Sequence, residues 1–125
     1  MKYTRLYSGA DGESYFEDVE SPMKKYGFDS KPDVDGLIKR SDVKKATSIS
    51  FNEYPPGMDW GGKHTAPRRQ FVVILEGKWE FTTSLGLRRL LGVGDVLLTE
   101  DTSGKGHSSK VVGRKILKDI VIPLE

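Results

Sequence analysis

The 125-residue chain has no cysteine. Disulfides and thiolate zinc sites are thereby excluded, and any metal would rest on nitrogen and oxygen ligands. Histidine is scarce as well, at His64 and His107 only. Long apolar runs are missing: nothing approaches the roughly 18 apolar residues of a membrane-spanning helix. The opening segment, MKYTRLYSGADGES, has no apolar stretch behind its basic residues. A cytoplasmic protein without a membrane partner is the expectation. No charge sign dominates, with 20 Lys and Arg against 18 Asp and Glu. The basic residues occur as scattered pairs (Lys24-Lys25, Lys44-Lys45, Arg68-Arg69, Arg88-Arg89) with acids between them. Pairs of this kind read as solvated faces, so no nucleic-acid partner is expected.

Helical periodicity is also hard to find. In its place, short runs of β-branched and aromatic residues recur between Gly, Pro, Asp and Ser separators, which predicts a mostly β protein. A hydrophobic share of 36 % and a charged share of 30 % suffice for one core in one structural domain. TRLYS and SYFEDVE flank a turn-rich GADGE and read as paired strands. From Ser21 to about Lys45 the pattern weakens, and only DGLIKRSDVKKA has the composition for a helical turn. Residues 1–45 are therefore expected to supply N-terminal strands and a covering arm. Residues 46–125 hold about eight strand signals at turn-marked intervals, including RQFVVILEG, KWEFTTS, DVLLTE and HSSKVV. Such spacing predicts a β-sandwich or a small closed barrel.

Gly57, Gly62 and Lys63 have the G-x-x-x-x-G-K spacing of a phosphate-cradling loop, but the next residue is His64 rather than Ser or Thr. The following RRQFVVILEG is too β-branched for the helix whose N-terminus would supply the anion field. The informative residues are instead His64 and Gln70. Strand alternation predicts Arg68, Gln70, Val72 and Ile74 on one face, a pocket mouth grading into a floor. Arg68 then has the planar fork to hold a carboxylate or phosphate. Trp60 and Trp79 are positioned to wall the pocket, with Trp79 also suited to the core or to a dimer interface.

These residues also resemble a known pattern. The cupin superfamily carries a first motif of Gly, five residues, His-x-His, three or four residues, Glu, six residues, Gly. Its second motif is Gly, five residues, Pro-x-Gly-x-x-His-x-x-x-Asn. His64 matches the first His, Gln70 stands where the Glu would be, and Gly77 closes the first motif after six residues. GVGDVLLTEDTSGKGH is similar to the second, with Gly94-Asp95 opening it and Gly104-x-x-His107 closing it two residues late. Gly57 is one residue early for the opening Gly. Ala66 replaces the second His, Glu100 or Thr102 falls at the Pro position, and Val111 at the Asn. The resemblance spans roughly residues 46 to 122. It implies an all-β double-stranded β-helix, the jelly-roll cupin barrel, with an N-terminal arm.

It further implies a ligand set of His64, Gln70 and His107 for one divalent transition metal, Zn, Ni, Fe, Mn or Cu. Two imidazoles and an amide leave the ion's charge uncompensated unless Asp59, Glu100 or Asp101 reaches in. Without a metal, His64 or His107 would serve as a general base tuned by Glu100, as in the sugar-epimerase branch of the superfamily. The expected catalytic residues are thus His64, His107 and Glu100, and the expected ligand-binding residues are Trp60, Arg68 and Gln70. The expected partners are a small molecule, either carboxylate or sugar-like, and a second copy of the chain as homodimer. The chemistry would be isomerase, lyase or oxygenase, with a non-catalytic binding or structural role as the alternative.

Overall fold

The computed structural model describes residues 1–27, 30–34 and 36–125. Its strands are β1 (Lys2–Ser8), β2 (Ser14–Glu20), β3 (Lys24–Tyr26), β4 (Ile38–Arg40), β5 (Ser50–Tyr54) and β6 (Gln70–Glu76). These are followed by β7 (Lys78–Thr83), β8 (Arg88–Leu91), β9 (Val96–Glu100), β10 (His107–Val112) and β11 (Leu117–Pro123). One sheet runs β2-β1-β9-β6-β11-β5 and a second runs β10-β7-β8. Isolated bridges Asp59↔Lys110 and His64↔His107 lay the chain before β6 along the free side of β10, as an irregular fourth strand. The barrel is thus two four-stranded halves, β5-β11-β6-β9 facing segment 59–64 with β10-β7-β8. Eight strands connected in this way form a jelly roll.

Alternation explains why these residues close a barrel. On β6, Val72 and Ile74 are buried while Leu75 faces solvent. Trp79, Phe81 and Thr83 are buried on β7, and His107, Ser109 and Val111 on β10. Leu117 and Asp119 of β11 join them. Burying an apolar side chain of this size contributes roughly 1.5–3 kcal/mol.

Strand registers define two poles. Gln70 pairs with Thr99 and with Pro123, and His107 pairs with Thr83, so the starts of β6 and β10 share a pole with the ends of β7, β9 and β11. The β6–β7, β8–β9 and β10–β11 connections lie at the other.

The boundary expected near residue 45 separates no independent unit. β1 lies inside the six-stranded sheet, parallel to β9, and Leu6 is fully buried in the core. The hairpin also props the histidine pole: Ser14 Oγ donates to the Gly106 carbonyl at 2.7 Å, and Ser14 N donates to Ser84 Oγ at 2.7 Å. The helical turn expected in DGLIKRSDVKKA begins at Asp35, outside the described residues. Its described part is a turn at Gly36–Leu37 followed by β4, which pairs with β3 as a ribbon. Tyr26 faces Ile38 there and carries the Arg40 guanidinium over its ring at 4.6 Å, a contact that favours strand pairing over a helix.

Candidate functional site

At the histidine pole a cavity of about 290 Å³ opens between the two halves of the barrel. His64, Gln70, Trp60, Trp79 and His107 all line it. All five were expected around the pocket, and Trp79 serves both as core and as wall.

The two histidines are held together by their own backbones. His64 N donates to the His107 carbonyl at 2.8 Å, and His107 N donates back to the His64 carbonyl at 2.9 Å. Their rings lie 4.7 Å apart at 58°. So close an approach needs glycine at 106, which has φ +71°. A Cβ there would lie inside van der Waals contact of the His64 carbonyl and 2.7 Å from Thr65 N.

Behind His107 stands Asp101. Nδ1–H of His107 donates to Asp101 Oδ2 at 2.5 Å, and the carboxylate is fully buried. Its Oδ1 has no hydrogen-bond partner. An acceptor on Nδ1 fixes the tautomer and leaves Nε2 as the free ring nitrogen. His64 Nδ1 is 3.4 Å from the Gly62 carbonyl, a longer and weaker contact. Ala66, at the position of a second motif histidine, is buried and lines the cavity, its N–H bonded to the Asp101 carbonyl at 3.0 Å.

Glu100 is not at the cavity, which corrects its expected catalytic role. It is one residue along β9 from the inward Thr99, and alternation turns it to the outer face. There it accepts from Arg5 Nε at 2.6 Å and Arg69 Nε at 2.5 Å. Burial acts to raise its pKa, but the two guanidinium hydrogen bonds outweigh burial and hold it below the ordinary carboxylate value. Glu100 is an ion-paired clamp between β1 and the segment entering β6.

Arg68 is likewise displaced from its expected role. β6 begins only at Gln70, and the bend after Pro67 breaks the alternation that would have put Arg68 on the Gln70 face. Arg68 is exposed and is not among the cavity-lining residues. Among the described residues, no ionisable side chain besides the histidines and the Tyr54 phenol lines this cavity. Desolvation, with a lesser contribution from the charge of Asp119, pushes Tyr54 up to about 12, so its hydroxyl stays neutral.

An aromatic wall leads to the histidines. Trp60 stacks on Trp79 with centroids 5.0 Å apart and planes at 27°, Tyr54 touches both, and Trp79 meets Phe81 at 4.7 Å. Phe81 in turn packs 5.5 Å from His107. Trp79 Nε1 is buried without a partner, an N–H donor on a residue of the cavity wall.

The donor set does not fit a resident transition metal. Two imidazoles and the Gln70 amide are neutral, Glu100 is bound to two arginines, and Asp101 stands behind His107. Asp59 lines a separate groove on the outer face of the three-stranded sheet. No group of three His, Asp or Glu side chains suited to a metal occurs among the described residues. A divalent ion here would have its charge uncompensated in a largely aromatic cavity.

No protein-family model matches the chain, and no curated protein matches it. Solved structures with similar folds include a cupin protein from Bacteroides fragilis, 20 % identical, with a TM-score of 0.46 over 62 % of this chain and 64 % of that one. A protein from Thermotoga maritima described as a predicted oxalate decarboxylase is 20 % identical, with a TM-score of 0.46 over 99 % and 94 % of the two chains. A conserved protein of unknown function from Streptococcus pyogenes is 15 % identical, with a TM-score of 0.46 over 68 % and 69 %. At these levels the likenesses carry nothing about chemistry. The strand order does define the fold class: the chain is an all-β jelly-roll barrel.

Sequence reasoning did not assign Phe81, Thr99, Ser109 or Val121 to the wall. Alternation carried the signal for all four, since each shares parity with an inward neighbour on its strand. Asp101 lies just beyond the end of β9, where parity stops, and only the fold shows it turning inward.

Proposed function

We propose that the barrel binds a small, uncharged, ring-shaped molecule of sugar-like polarity, and that His107 moves a proton on it. The observation that carries this reading is the character of the cavity: an aromatic wall, neutral hydrogen-bonding groups, and two adjacent imidazoles, with no arginine, lysine or carboxylate at its surface. Aromatic faces stack on the C–H faces of a ring, while the Gln70 amide and the Ser109 hydroxyl offer partners for hydroxyl groups. A carboxylate ligand, one of the two expected classes, loses its anchor with Arg68 outside.

The same arrangement supports proton transfer. Asp101 orients the His107 ring through the bond to Nδ1 and leaves Nε2 for the substrate. A proton taken from a carbon beside a carbonyl is carried on Nε2 and returned to the neighbouring oxygen, so the substrate isomerises and no external reagent is consumed. His64, 4.7 Å away, supplies a second imidazole to hydrogen-bond the oxygen on which charge develops.

The test is a thermal-shift panel of neutral monosaccharides against the matching sugar acids, with metal content measured by mass spectrometry. The expected result is stabilisation growing with the logarithm of neutral-ligand concentration, weakened in Trp60→Ala and His107→Ala. Preference for the acids would overturn the ligand class. Stoichiometric transition metal that disappears in both His64→Ala and His107→Ala would overturn the metal-free chemistry.

A further inference from the structure

A second cavity, larger than the one at the histidine pole, lies at the opposite pole. The β6–β7, β8–β9 and β10–β11 connections enclose a groove of about 600 Å³. Its rim carries Lys78, Arg114 and Lys115, and its apolar part is Val93 and Val112. Among the described residues none of these three cations forms a salt bridge. The carboxylates of the neighbouring strands and turns are engaged elsewhere: Glu76 pairs with Lys118 at 3.4 Å, Glu80 with Lys110 at 3.8 Å, Asp119 accepts from Asn52, and Asp95 Oδ2 accepts from Gly92 N at 2.7 Å. None of them lines the groove. Gly77, Gly92 and Gly113 also line it, and no heavy atom lies within 4 Å of a Cβ built at Gly92 or Gly113, so the backbone there is open to a ligand.

We propose that this groove is a second binding site, for a small molecule carrying a phosphate group on an apolar body. Three cations with no acid between them create a local positive field in a chain of net charge +2. The Arg114 fork suits two phosphate oxygens and the two ammonium groups suit the remainder. Val93, 71 % exposed, lies beside the cations and offers the apolar contact for the body of such a ligand. A concave site of this volume holds a small molecule in full, whereas an extended polyanion would need a continuous basic track.

The probe is phenyl phosphate, followed by backbone amide shifts with inorganic phosphate and phenol as its two halves. Saturable shifts are expected at Val93, Gly113, Arg114 and Lys115, with phenyl phosphate at least about tenfold tighter than either half, a gap of about 1.4 kcal/mol. The exposed triple variant Lys78→Gln/Arg114→Gln/Lys115→Gln should keep its fold and weaken binding by at least about tenfold. His107→Ala should leave binding unchanged, which separates this site from the barrel cavity. Unaltered binding in the triple variant, phenol as tight as phenyl phosphate, or shifts confined to other surfaces would overturn the proposal. A single-stranded oligonucleotide that displaces phenyl phosphate from the same residues at much lower concentration would overturn the small-molecule assignment.

Discussion

Gly106→Ala should damage the histidine pair more than any other glycine substitution of equal chemistry. The residue has φ +71°, where a Cβ-bearing residue costs about 1–2 kcal/mol. The added methyl would also be forced against the His64 carbonyl and would stand 2.7 Å from Thr65 N, both of them backbone atoms that no rotamer change can move. Overpacking of this kind costs about 1–3 kcal/mol more. The total is about 2–5 kcal/mol, and the strain falls on the two reciprocal backbone hydrogen bonds that bring the rings together. Gly113→Ala is the matched control, with φ +84° and no heavy atom within 4 Å of the built Cβ. It should show only the conformational part. Urea unfolding of both variants measures the difference as a midpoint shift at unchanged slope. Gly106→Ala should be the less stable by about 1–3 kcal/mol and should lose cavity binding, while Gly113→Ala keeps it. Equal losses would refute the claim that Gly106 is required by the close approach of His64.

Asp119 is buried, accepts one hydrogen bond from Asn52 Nδ2 at 3.0 Å, and leaves Oδ2 unpartnered. Desolvation raises its pKa against the Asn52 hydrogen bond, so the stability it contributes is full in acid and is lost as pH rises through the folded-state pKa. Asp119→Asn should therefore be more stable than the parent at neutral pH, by about 1–2 kcal/mol in urea unfolding, with the advantage vanishing in acid. Glu100 has the opposite sign: its lowered pKa gives stability present above the ordinary carboxylate pKa and lost as pH falls through the folded value. Glu100→Gln should cost about 1 kcal/mol at neutral pH, because these partly exposed pairs are screened by solvent, and should flatten the acid limb of the stability profile without changing cavity binding. Leu6→Ala should cost about 2–5 kcal/mol by calorimetry, since Leu6 is fully buried in the core that β1 shares with the barrel.

The strands were legible because period-two alternation is local physics. SYFEDVE and HSSKVV coincide with β2 and β10, and on β6 Gln70 opens an inward row whose Val72 and Ile74 are buried. Legibility ended where strands end. Arg68 was assigned by extending the β6 alternation across the bend after Pro67, and Glu100 by analogy with the sugar-epimerase branch, as a carboxylate beside the histidines, whereas it lies on the outer face of β9. Asp101 and Glu100 are neighbours, yet one is sealed behind His107 and the other bonded to two arginines. That division depends on where β9 stops, which composition does not encode. Asp119 carried a readable signal, sharing parity with Leu117 and Val121. A buried carboxylate is disfavoured without a cation, so the pattern alone argued against it. The far-pole groove gathers three connections remote in sequence, and no local motif marks it.

The account's central claim is a neutral ring bound between the tryptophan wall and the histidines. The most direct measurement follows the two indole N–H resonances during titration with neutral monosaccharides and their sugar-acid counterparts. The indole N–H resonances of Trp60 and Trp79, whose rings line the cavity, should shift and saturate with a neutral ring and show at least about tenfold weaker response to the corresponding acid. Saturation by the acid at lower concentration than the neutral sugar, or saturable binding that leaves both indoles unmoved, would contradict it.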